Sequence, residues 1–209
     1  MRDLETNPLE PSAEEKATYA ESSQSMHRSY VLASIFTTSA FLDATVNELY
    51  TSAEYPNLEL GGKLPEAQRE LLVDAWPTQI KEPILERYQK ALTTLSLQPM
   101  ARGEGTFQNA FAVLDLRNEL MHYKPRWRDT HQLRQTSRVE TSGIRFLESN
   151  EKRFARNPFT GSGNPTLDRS LCYALAAWSL SSALAFTDEF FKRVGVEARY
   201  ASIREDLKA

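Results

Sequence analysis

Apolar positions recur at steps of three and four along most of the chain, the period of a helix that buries one face. The longest run is Leu32, Ile35, Phe36, Ser39, Leu42, Val46, Leu49 and Tyr50. Ser12 and Glu15, with Pro11 just ahead, have the form of a capping box, so a first helix is predicted from about residue 12 to Tyr50. Ser22-Ser23 mark a break point in it, because serine is a weak helix former. Pro56 and Gly61-Gly62 predict a loop over 51–64. Pro65 suits the first turn of a short helix ending before Pro77. Pro83 opens another, with Ile84, Leu85, Tyr88, Leu92 and Leu95 inward. A second loop covers 98–106, and a central helix runs from about Thr106 to Tyr123 before Pro125. Residues 125–163 are the least regular, and Val139 to Leu147 fit either a strand or a short helix. The last helix is the best marked, with Asn164 as cap, Pro165 first, Lys192 and Arg193 in the last turn and Gly195 as stop. It should be about 30 residues, or about 45 Å, long.

No strand alternation persists, so the fold class is all-α: a helical bundle with long first and last helices and two or three shorter ones. The chain has 209 residues, which fits one domain over 12–195, a flexible tail at 1–11 and a tail or short helix at 196–209. Helices this long favour a homodimer formed through a helix face. Hydrophobic residues make up 41% and charged residues 25%, which argues for a folded globular chain. The net charge of −3 argues against a polycation that coats nucleic acid, but leaves room for a local basic patch. The single Cys172 sits in an apolar run and reads as a buried, inert thiol. One cysteine and three scattered histidines do not make a zinc site, and no cofactor is expected. The apolar stretch Tyr30–Val46 is interrupted by Thr37, Thr38, Ser39 and Asp43, short of the roughly 18 apolar residues of a membrane span. The N-terminus reads as no signal peptide, so a cytoplasmic location without membrane contact is expected by default.

Candidate chemistry collects at the end of the central helix. Phe107, Phe111 and Leu114 suggest an inward stripe, which the same spacing extends to Asn118, Met121 and His122. Arg117 lies five residues before His122, about 140° round the axis. An imidazole that titrates near neutrality, a permanent planar cation and a neutral amide suit phosphodiester chemistry. His122 would move a proton, Arg117 would neutralise charge at phosphorus and Asn118 would orient either. The same residues also suit a plain structural role, the imidazole facing the last carbonyls of its helix and the Arg-Asn pair bracing a loop. After the helix, Lys124, Arg126, Arg128, Arg134 and Arg138 face only Asp129 in charge, with Tyr123, Trp127 and His131 interleaved. Lys124, Arg126, Trp127 and Arg128 are therefore substrate-binding candidates, because cations grip phosphates and aromatic rings stack on unpaired bases. A solvated loop paired with Glu14, Glu15 or Asp43 fits the same composition. Asp43, Asn47 and Tyr123 are supporting candidates, and Asp43 or Glu48 would reach His122 if the first helix packs on the central one.

Arg117-Asn118-Glu119-Leu120-Met121-His122 resembles the Arg-x4-His motif of the HEPN superfamily (higher eukaryotes and prokaryotes nucleotide-binding domains). Phe41-Leu42-Asp43-Ala44-Thr45-Val46-Asn47-Glu48-Leu49 resembles the first-helix pattern of such domains, and the resemblance spans roughly 12–195. It implies a dimeric helical bundle and a metal-independent endoribonuclease of the toxin, phage-defence or RNA-processing kind. Motifs from two protomers would form one cleft, with Arg117 and His122 catalytic and Asn118 positioning them. RNA would be cleaved by attack of a 2′-hydroxyl, and an antitoxin protein is an implied partner. Some HEPN toxins carry Tyr two residues after the His, where this chain has Lys124. The alternative is a non-catalytic dimerisation, interaction or nucleotide-binding module, since some HEPN proteins have lost catalysis.

Overall fold

In the computed structural model, the residues described are 13–122, 142–150, 154, 156–160 and 166–208. They contain only helices and connections, with no strand among them. The chain-order helices are α1 (Ala13–Glu54), α2 (Glu59–Lys63), α3 (Glu66–Gln79), α4 (Ile84–Thr94), α5 (Gly105–Met121), α6 (Ser142–Ser149), α7 (Thr166–Ser170) and α8 (Tyr173–Val194). A 3-10 helix, Arg199–Lys208, follows. The expected tail at 1–11 and the Ser12 cap lie outside the described residues.

Helix α1 is 42 residues long, about 63 Å at 1.5 Å per residue, and passes through Ser22-Ser23 without a break. Its C-terminal part buries Val31, Ile35, Leu42, Val46, Leu49 and Tyr50. This stripe packs mainly against α8, which buries Leu175, Trp178, Ala183, Phe186, Phe190 and Phe191. Its N-terminal part exposes Tyr19, Met26 and Tyr30. By length and composition α1 could cross a membrane, the one described helix of that kind, although the apolar stripe just named is taken up by the core.

Tyr88 of α4 ties the layers together. Its hydroxyl donates to the Leu42 carbonyl at 2.7 Å, and its ring meets Phe186 and Phe190 edge-on at 4.9 and 4.7 Å. Gln89 pins the following loop: its amide donates to the Met100 carbonyl at 2.6 Å, and its side-chain oxygen accepts from the Met100 N–H at 2.9 Å.

Three boundaries depart from the sequence expectation, each for a tertiary reason. The 51–64 stretch is not all loop: α1 continues to Glu54, and α2 forms across Gly61-Gly62 because Leu60 and Leu64 are drawn into the core. Helix α3 runs through Pro77 to Gln79. Pro77 deprives the Val73 carbonyl of its helical donor, but Val73 is on the exposed side. The last turn is anchored instead by Gln79, which accepts from Tyr50 and donates to Thr94 Oγ1 at 2.9 Å. The last helix is broken into α7 and α8 at Leu171-Cys172, where Cys172 is extended. In a continuous helix the Asp168 and Arg169 carbonyls would accept from residues 172 and 173. Here Asn157 takes both, its side-chain amide donating to Asp168 at 3.0 Å and its backbone N–H to Arg169 at 2.8 Å. Gly195 ends α8 in the left-handed conformation, as its position suggests. Beyond it, Tyr200 packs on Phe41 and donates to Thr187 Oγ1 at 2.7 Å.

Burial holds the Tyr88 phenol well above its ordinary value of 10.0, and also raises Tyr50 and Tyr200. As pH rises, these phenols ionise first in the unfolded chain. Their contribution to stability is therefore intact below about pH 10 and is lost as pH climbs towards the raised folded values. The urea midpoint should fall above about pH 10, and Tyr88→Phe should lose less of its midpoint over that range than the natural chain.

Candidate active site

Helix α5 sets the site, and its buried face is not the one that the bulky residues suggest. Phe107, Ala110, Ala112, Val113 and Leu116 are buried, whereas Phe111 is 47% and Met121 57% exposed. Small side chains at Ala110 and Ala112 let α5 sit close to its neighbours, so the helix is rotated relative to a stripe drawn through Phe111. Asn118 and His122 are consequently exposed, not inward. His122 caps the helix, with its backbone N–H donating to the Asn118 carbonyl at 3.0 Å. Its imidazole has no hydrogen-bond partner among the described residues and is open to an incoming group.

Arg117 and Asn118 open onto a groove of 430 Å³ between α4 and α5. Pro83, Ile84, Phe107, Phe111 and Leu114 supply its apolar walls, and Arg87, Arg102, Asp115, Glu82 and Glu86 its charged ones. Most of these charges already have partners. Arg102 grips both carboxylate oxygens of Glu86, at 2.6 and 2.7 Å, which holds that carboxyl below its ordinary range. Glu82 pairs with Lys90 at 2.5 Å. Arg117 has no ion pair among the described residues; its guanidinium reaches only the Met121 sulfur, at 3.9 Å. Its Nε and the Asp115 Oδ2 are shielded from water and have no hydrogen-bond partner among the described residues.

The supporting residues turn elsewhere. Asp43 and Asn47 of α1 hold Arg87, not His122. Arg87 donates to Asp43 Oδ1 at 2.5 Å and also to Asn47 Oδ1, while the Asn47 amide donates to Asp43 at 3.3 Å. Glu48 pairs with Arg199 at 2.9 Å. The reason is burial: the Arg87 side chain is only 8% exposed, and a cation so placed needs an anion. Arg87 was missed by sequence reasoning, although the Asp43–Asn47 pair, four apart beside the α1 stripe, was its signal. His27 is half-buried against Phe159, with ring centroids 5.3 Å apart. Tyr123, Lys124, Arg126, Trp127, Arg128, Arg134, Arg138 and His131 lie outside the described residues. Among the described residues no three His, Cys, Asp or Glu side chains cluster as a metal-ligand set.

Comparison with known proteins found no family model, no curated protein and no solved structure that matches the chain. The site is therefore read from its own chemistry.

Removing Asp43 leaves a buried guanidinium short of its anion. Because Asp43 is itself 42% exposed, the cost is set below that of a fully buried pair. Asp43→Ala should cost about 2 kcal/mol in urea unfolding. His122→Ala, at an exposed position, should stay within about 0.5 kcal/mol of the natural chain.

Proposed function

We propose that the protein is a metal-independent endoribonuclease of HEPN type, cleaving RNA at a composite site in a homodimer. The observation that supports this most is the end of α5, where an accessible imidazole, His122, shares one short stretch with Arg117, a cation that no carboxylate among the described residues neutralises. That pairing leaves both groups available to a phosphodiester.

In the proposed reaction a ribose 2′-oxygen attacks the adjacent phosphorus and the bond from phosphorus to the 5′-oxygen breaks. The products are a 2′,3′-cyclic phosphate and a free 5′-hydroxyl. One His122 accepts the 2′-hydroxyl proton, and the second copy's imidazolium delivers a proton to the leaving oxygen. Arg117 stabilises the charge that builds on the non-bridging oxygens, and Asn118 orients the phosphate. The basic, aromatic stretch Lys124, Arg126, Trp127 and Arg128 would hold the flanking strand. RNA and a second copy are thus the proposed partners, an antitoxin protein is a further one suggested by the family resemblance, and the proposed location is the cytoplasm.

A second reading is a non-catalytic dimerisation module. Phe111 and Met121, large apolar side chains exposed beside Asn118 and His122, favour it. Incubation of the purified protein with mixed RNA in chelator separates the two. Cleavage with cyclic-phosphate ends, abolished or reduced at least about a hundredfold in His122→Ala, is expected. Equal products from both proteins, or none from either, would sink the nuclease reading. If Arg117→Ala changes only the dimer–monomer balance in light scattering, the module reading takes its place.

A further inference from the structure

The outward face of α5 carries four residues at steps of four, three and four: Phe111, Asp115, Asn118 and His122. Side chains at these spacings are neighbours on one helix face, with Cβ atoms about 5–6 Å apart. The first three line the groove between α4 and α5, and His122 follows one turn beyond Asn118. The row therefore runs from an exposed aromatic ring, through a carboxylate and an amide, to the imidazole.

We infer that this row is a guanine-recognition subsite, which holds one unpaired guanine base of an RNA next to the phosphate that is cleaved. The inference rests on the ribonuclease reading and adds its base preference. The groove's arginines and carboxylates are balanced, three of each, so it is not built for a bare anion. It is apolar along one side, and its volume falls in the range of about 300–1,000 Å³ typical of ligand sites. That combination fits a flat, neutral group with polar edges.

The unmet hydrogen-bonding capacity decides which base. Asp115 lines the groove, and its Oδ2 has no donor among the described residues, a state that costs free energy until a ligand supplies one. The Asn118 side chain is exposed and has no partner among the described residues. Guanine presents two adjacent donors, its N1–H and its amino group, which one carboxylate accepts together. Its neighbouring O6 is an acceptor for the Asn118 amide. Adenine and cytosine offer Asp115 one amino donor each and uracil one imino donor, so none of them matches this pair of donors beside an acceptor. Phe111, four residues before Asp115, stacks on the base face. The base then lies on the same helix face as His122, two turns from it, which hands the adjoining phosphate to the imidazole and Arg117.

The test measures binding of the four nucleoside 5′-monophosphates to the His122→Ala protein by calorimetry, together with sequencing of the RNA ends that the natural protein produces. Guanosine monophosphate should bind about tenfold or more tightly than the other three, and guanine should dominate at one position beside the cut. Asp115→Asn should remove that preference. Should this variant not fold, Phe111→Ala, at an exposed position, should weaken all four nucleotides alike by about tenfold. Equal affinity for the four, no binding of guanosine monophosphate, or a guanine preference that survives Asp115→Asn overturns the inference. RNA cleavage without base preference overturns the subsite alone. Guanine binding without cleavage of any RNA upholds the subsite and overturns the nuclease reading instead.

Discussion

The close approach of α1 and α8 is the contact on which the rest of the bundle depends. Both helices bury small hydroxyl side chains along with hydrocarbon, and each such hydroxyl must find a partner or weaken the core. Three of them find it within their own helix. Ser39 donates to the Ile35 carbonyl at 3.1 Å, Ser179 to Leu175 at 2.9 Å and Thr187 to Ala183 at 3.0 Å. These three hydroxyls are then satisfied inside their own helices, which lets the two long helices pack closely. Helix α4 is laid against that pair by Tyr88, while α5 rests on α8, with Phe107 meeting Phe186 edge-on at 6.0 Å. The orientation of α5, and so of everything on its outer face, follows from this packing.

The second constraint is the buried guanidinium of Arg87. A charge in this position is stable only with its anion and further hydrogen bonds in place, and Asp43 with Asn47 supplies them. The cluster fixes α4 against α1 at the floor of the groove. It also removes Asp43 from any direct part in the chemistry at His122. An acid that faces a buried arginine is committed to it, because leaving would expose the full desolvation cost of the cation.

Much of the fold was legible in the sequence. Pro65, Pro83 and Gly195 mark helix ends because their backbone limits act locally, and the stripe through Ile35, Leu42, Val46 and Leu49 is strictly periodic. What was not legible depended on distant partners. The break at Leu171-Cys172 exists because Asn157 captures two carbonyls, and nothing within α7 or α8 encodes it. Pro77 stays helical because Tyr50 and Thr94 hold Gln79. Arg117, Asn118 and His122 could be chosen as candidates from residue type and spacing, but the face they occupy could not. Phe111 and Leu114 are larger than Ala110 and Val113, and size alone put the wrong edge of α5 in the core. Packing chose the smaller residues, since closeness to α8 matters more there than side-chain area.

That rotation changes what the proposed chemistry requires. An inward His122 could have drawn its second catalytic group from the same bundle, with Asp43 to tune it. An exposed His122 with Asp43 committed to Arg87 finds neither among the described residues. Strand cleavage needs a group to take a proton from the 2′-hydroxyl and another to give one to the leaving oxygen, and one imidazole cannot be in both protonation states at the same instant. Within the proposed reading the missing group must approach from outside the described bundle. A second copy of the same helix end brings an identical imidazole and, with it, a second Arg117. The exposed Phe111 and Met121 beside it give such a copy apolar area to cover. The outward turn of α5 thus leaves the second group to come from beyond the described bundle, and a second copy is the source on which the proposed reaction draws.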